Sequence, residues 1–185
     1  MKTKAKRRLP AKKAAPKKKK VQPIPAGYSA VTPYLSIRGA AQAIEFYKKA
    51  FGAKEIMRMP GPDGKLGHAE ISIGDSRVML SDEHMEMAFM APKSLGGTSV
   101  HLHLYVKDAD AAVKRAVEKG AKLVRPVQDQ FYGDRTGTIE DPFGHLWHVA
   151  THTKDVPMAA LKKRAAELAQ AAQAAKLQPV PLTAA

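Results

Sequence analysis

Two hydrophobic periods alternate along the middle of the chain. In residues 31–37, VTPYLSI, the residues Val31, Pro33, Leu35 and Ile37 fall on one side and Thr32, Tyr34 and Ser36 on the other, which predicts a strand. From Gly39 to Phe51 the residues Ala40, Ala43, Ile44, Tyr47 and Phe51 recur three and four apart, predicting a helix that Gly52 ends. KEIMRM, HAEISI and RVMLS read as three more strands, separated by the turn signals PGPDG and GDS. After a Met-rich connection (residues 82–94) the same order returns. SVHLHLYV is a strand, Asp108 to Glu118 a helix, and AKLVRPV, RTGTIED and HLWHVATH three strands, with DPFG turning between the last two.

The repeat predicts an α+β fold. Two paired βαβββ modules, residues 27–94 and 95–153, form an open eight-stranded barrel-like cup with the helices outside. Residues 157–177 are Ala-rich and predict one further helix, with Met158, Leu161, Ala165 and Leu168 as a modest apolar stripe. Residues 1–26 carry prolines and like charges and little to bury, which predicts a disordered basic arm.

Alternation also sorts the chemistry. The apolar side of each strand belongs against the helices, and the opposite sides are rich in His, Tyr and Glu. If those sides line the cup, Thr32, Tyr34, His68, Glu70, His101, His103, Tyr105, Glu140 and His148 face one another across a small-molecule cavity. A buried Glu70 needs a partner, which His68 or Arg58 would supply. Asp134 and Arg135 read as closing a loop at the mouth. The Met-rich connection reads as packing between modules or copies, with an apolar lid as the alternative.

Charge changes the picture less than its total suggests. Of a net +14, residues 1–20 hold nine Lys and two Arg with no acid, leaving +3 for the rest of the 185 residues. The arm is therefore an electrostatic element separate from the body, suited to weak, sequence-independent nucleic-acid binding. No Cys is present, which excludes disulfides, thiolate metal sites and Cys nucleophiles. The absence of a long apolar run argues against a membrane span and a secretory signal, so a cytoplasmic location is expected. No glycine-rich phosphate loop follows a strand.

VTPYLSI, IEFYKKAFGA, MPGPDGKLGHAEISIGDSRVMLSDE, SVHLHLYVKDADA, Gly133–Asp134–Arg135 and DPFGHLWHVATH together resemble the vicinal oxygen chelate superfamily of glyoxalases, bleomycin-resistance proteins and extradiol dioxygenases. The match is most similar to its glyoxalase-like branch typified by the phosphonate-operon protein. The resemblance implies paired modules around an open barrel, usually in a homodimer. In metal-using members it implies four ligand positions, which fall here on Thr32, Leu80, His101 and His148; only the two histidines bind metal readily. Glu140 or Glu70 would be recruited as a third ligand, so the cofactor is either none or one divalent metal.

Two functions follow. One is a lyase on a small oxygen-bearing molecule, with metal on His101 and His148 and with Glu70 or Glu140 as the catalytic proton carrier. The other is ligand sequestration without turnover. In either, Thr32, Tyr34, His68, His101, His103 and Tyr105 contact the ligand; sequestration adds the acidic pair, and Trp147 if it reaches a rim.

Overall fold

Both modules fold as the two periods predict; β1 and β5 are shorter than the sequence reading by up to three residues, while β2, β3 and β4 run one or two residues longer. The computed structural model describes residues 21–61 and 63–177; residues 1–20, which carry the basic run, and Pro62 of the first turn lie outside them. The first module runs β1 (Tyr34–Ile37), α1 (Ala40–Phe51), β2 (Lys54–Pro60), β3 (Leu66–Ile73) and β4 (Ser76–Asp82). A 3-10 turn at Met85–Met87 and a short helix α2 (Pro92–Leu95) lie in the connection. The second module runs β5 (His101–Tyr105), α3 (Ala109–Glu118), β6 (Lys122–Asp129), β7 (Asp134–Glu140) and β8 (Leu146–His152). Helix α4 (Met158–Leu177) follows.

The two sheets have the same topology, β1-β4-β3-β2 and β5-β8-β7-β6. In each, the first and last strands of the module pair in parallel and the other neighbours are antiparallel. A crossover helix is needed between parallel neighbours, and it lies on the apolar face. Each last strand also satisfies the start of its module's helix. The Asp82 carboxylate accepts from the Gly39 and Ala40 amides at 2.9 and 3.0 Å, and the Thr151 hydroxyl accepts from the Ala109 amide at 2.8 Å. Asp108 caps α3 as well, accepting from Ala111. At the other end of α1, Gly52 takes φ 69°, a left-handed conformation that costs glycine little, and returns its amide to the Lys48 carbonyl.

One core joins the modules. Leu35, Ile71 and Leu80 from the first sheet, Ile139, Trp147 and Val149 from the second, and Ile44, Tyr47, Val113 and Ala116 from the helices are all buried together. The DPFG turn locks this junction. Buried Asp141 accepts from the Tyr47 hydroxyl at 2.7 Å, the Trp147 indole at 2.9 Å, and the amides of Phe143 and His145. Trp147 is thus a core residue, 3% exposed, and not a rim residue.

The Met-rich connection divides: its second half, from Phe89 to Pro92, lies against both modules, with Ala91 and Pro92 buried. Met85 and Met87 are exposed, while Phe89 lies edge-on to Tyr34 with ring centroids 5.1 Å apart. In α4 the stripe residues Met158 and Leu168 are also exposed. No helix among the described residues is long and apolar enough to cross a membrane.

Candidate functional site

The polar sides of the two sheets carry the predicted site residues, but in two separate groups. Among the described residues no hydrogen bond joins Tyr34, His68 or Glu70 to His101, His103 or His148, while a hollow of about 420 Å³ sets His103 and Tyr105 beside Val31, Pro33 and Arg77. Each face turns away from the helices packed on its own sheet.

On the first face, β1, β4 and β3 align Tyr34, Met79 and Glu70. The Tyr34 hydroxyl lies 3.0 Å from His68 Nδ1, and His68 Nε2 lies 3.3 Å from a Glu70 oxygen. Tyr28 donates to the other Glu70 oxygen. Arg77 comes within 3.5 Å of that oxygen, its guanidinium over the Tyr28 ring. The Tyr28 hydrogen bond is the main cause holding the Glu70 carboxyl below its ordinary range, with His68 and Arg77 adding to it against the effect of burial. Glu70 is therefore ionised at neutral pH and accepts hydrogen bonds. Arg58 is not its partner: it pairs with Glu55 and Glu45. Thr32, half-buried, donates to the Ser29 carbonyl.

On the second face, β5, β8 and β7 align His103, His148 and Thr138. His101 Nδ1 lies 3.0 Å from His148 Nε2, and the Thr138 hydroxyl lies 2.9 Å from His148 Nδ1. Burial first, then the charges of His101, His103 and Arg125, push the His148 imidazole down, keeping it neutral. A neutral ring donates from one nitrogen and accepts at the other, so the three side chains form a directed chain. His103 packs on Tyr105, whose hydroxyl donates to buried Asp134 at 2.9 Å. These groups edge a hollow of about 260 Å³ walled by His103, Arg125, Gln128, Thr136, Thr138 and His148 among others.

The donor set does not fit a metal bound by three or four protein ligands. Leu80 pairs with Leu35 and Ala69 in the core, facing the helices. The residue of β4 that shares the polar side is Met79, one position earlier. Thr32 is turned to Ser29, and Glu70 lies on the other module's face. Glu140 is half-buried between Lys122 and Leu146 in register, with no hydrogen bond to either imidazole. Among the described residues no three of His, Cys, Asp and Glu gather as a metal site. The recruited third ligand expected from the sequence is therefore absent from this arrangement.

Several participants escape the sequence reading. Tyr28 precedes the first periodic strand, Arg77 and Arg125 carry no local signal, and the pairing of Asp134 with His152 lies outside the loop role read for Asp134. Arg135 does close a loop, bridging Asp110 and Asp129.

Comparison with known proteins agrees with this architecture. A Mycobacterium bovis protein is 48% identical over 132 residues, covering 70% of this chain and 87% of its own. The structure of TioX from Micromonospora sp. ML1 is 25% identical with a TM-score of 0.53, covering 70% of this chain and all of its own. An Arabidopsis thaliana structure is 28% identical with a TM-score of 0.55, covering 66% and 98%. Residues 32–149 match the profile of one family throughout, and the chain belongs to the Glyoxalase/Bleomycin resistance protein/Dioxygenase superfamily.

Proposed function

We propose that the protein binds a small oxygen-bearing molecule on the second module's polar face, without a metal held by three protein ligands. The observation that carries this is the His101–His148–Thr138 chain bordering a polar hollow of about 260 Å³. Exposed imidazole and phenol groups held in fixed order by a sheet suit recognition of ligand oxygens. The exposure of His101, His103 and Tyr105 also suits a homodimer in which a second copy covers this face, as the family resemblance implies. The glyoxalase-like, phosphonate-operon branch and a cytoplasmic location belong to the same reading.

Calorimetry with zinc and nickel tests it. The parent should bind neither ion tightly, and His101→Ala should weaken a bound ligand without releasing metal. One equivalent held tightly by the parent and lost in both His101→Ala and His148→Ala would overturn the reading.

A second reading, a lyase, is favoured by the Tyr34–His68–Glu70 chain on the first face. An ionised Glu70 fixes the His68 ring, and His68 then relays a proton to and from the solvent-accessible Tyr34 hydroxyl. Glu70 is then a positioning group and not the proton carrier.

A further inference from the structure

We propose that the hollow of the second module is an oxyanion subsite, with Arg125 as its charged anchor, and that the ligand carries a carboxylate or phosphoryl group. This rests on the reading that the second face is the binding face, and names the chemistry it selects.

The walls of the hollow contain donors and cations but no carboxylate: Arg125, His103, His148, Gln128, Thr136 and Thr138 surround it, with Tyr132 at its edge. Asp134, which feels the charge of His103, already has both oxygens taken by Tyr105 and His152. The arginines of the other strands are neutralised. Arg58 pairs with Glu55, Arg77 with Glu70, and Arg135 with Asp110 and Asp129. Arg125 has no such partner among the described residues.

The backbone is arranged to bring Arg125 there. Strand β6 shifts register twice, between Leu123 and Arg125 and again between Arg125 and Gln128. Without the first shift Val124 would stand opposite Thr138; with it Arg125 does, and the second sets Gln128 opposite Thr136. Gly137 makes room for the displaced strand. A Cβ at Gly137 would stand 2.8 Å from Val127 Cγ2 and 3.3 Å from the Arg125 carbonyl oxygen. Bulges of this kind re-aim side chains next to binding sites.

The lining agrees with this geometry. Among the described residues Arg125 is the one permanently charged side chain that walls the hollow, and no carboxylate stands among the walls to balance it. An anion bound between Arg125, the Gln128 amide and the Thr138 hydroxyl supplies that balance through charge-assisted hydrogen bonds, with His148 donating to Thr138 and the Thr136 hydroxyl already committed to the Val149 carbonyl. At about 260 Å³ the space is below the roughly 300–1,000 Å³ of sites that enclose drug-sized ligands, so it takes an acid head group.

Titration calorimetry at low salt, with NMR of the histidine side chains, tests the proposal using inorganic phosphate, benzoate and neutral benzamide. Phosphate or benzoate should bind saturably, and the bound anion should raise the pH at which His148 titrates. Arg125→Gln, checked for an unchanged melting temperature, should weaken anion binding roughly 10- to 100-fold, and Arg125→Lys less. Phosphate binding alone marks a phosphoryl ligand and benzoate alone a carboxylate. Equal anion affinity in the parent and Arg125→Gln overturns the proposal. So does binding of benzamide but neither anion, which leaves the small-molecule reading intact; binding of none of the three overturns both.

Discussion

Asp134 and His152 are joined by a 2.7 Å hydrogen bond where β7 begins and β8 ends, with Asp134 nearly buried and His152 half exposed. The bond to Asp134, then that to Asp155, raises the His152 imidazole above its ordinary 6.5. Burial pushes the Asp134 carboxyl up, but His152 and Tyr105 together hold it below its ordinary value.

These shifts give opposite pH windows. The His152 contribution to stability is complete below about 6.5, where folded and unfolded imidazoles are both protonated, and is lost as pH rises through the raised folded value. The Asp134 contribution is present above the ordinary carboxylate range and is lost as pH falls through the depressed folded value. Melting temperature against pH should therefore decline on both sides of a plateau. In Asp134→Asn the alkaline decline should disappear and the NMR titration of His152 should move down toward 6.5. An unmoved His152 would show that the pair does not form.

Asp141 is where the two modules depend on a single side chain. Its two oxygens take four donors, from α1, the DPFG turn and β8. Burial, reinforced by Asp141, drives the Tyr47 hydroxyl well above its ordinary value, so Tyr47 remains a donor throughout the accessible pH range. Tyr47→Phe should cost about 1–2 kcal/mol in urea unfolding, and Asp141→Asn about 2–4 kcal/mol because an amide NH₂ would confront donors. Additive costs in the double variant would contradict a shared network.

Strand and helix identity was legible because each module repeats a strict change of period. Facing was legible only where the alternation is clean. HLHLY alternates strictly, and in β5 His101, His103 and Tyr105 share the exposed side. VML in β4 is apolar at three successive positions and offers no alternation; the ligand position that the family resemblance implies falls on core-facing Leu80, whereas Met79 shares the polar side with Tyr34 and Glu70. The second face kept its anchor hidden for a related reason: two bulges in β6 break the alternation around Arg125. Tyr28 and its hold on Glu70 follow from tertiary packing of a segment with no period of its own. The division into two faces is a matter of how the modules pack, which no strand pattern encodes.

The basic arm should be separable from the fold up to a boundary set by Tyr28. Residues 21–24 are exposed, whereas Tyr28 donates to Glu70. Removing residues 1–24 should leave the melting temperature within a few degrees. Tyr28→Phe should raise the Glu70 titration toward its ordinary value and lower the melting temperature more than the truncation does. The same truncation should abolish weak duplex DNA binding. In the full chain, that binding should fall at least about 100-fold between about 50 and about 200 mM salt, because counterion release drives it. Salt-independent binding, or binding retained after truncation, would place the contact elsewhere.

Gly137 separates the architecture of the second face from its charge. It lies on β7 between Thr136 and Thr138, its Cα side against Val127, and it pairs with Val149 in β8. Its role is spatial: the space where a side chain would begin is filled by the Val127 methyl group of the bulged strand. Gly137→Ala must push β6 outward or force Val127 from its rotamer, at a cost of about 1–3 kcal/mol. Displacing β6 also withdraws Arg125 from Thr138, so anion affinity should fall together with stability. The second substitution Val127→Ala in the Gly137→Ala background removes the colliding methyl group. It should restore anion affinity, even though each change alone trims or crowds the core. Affinity that stays low in the double variant, with β6 amides back at their parental shifts, would show that Gly137 acts on the hollow by some route other than the position of Arg125.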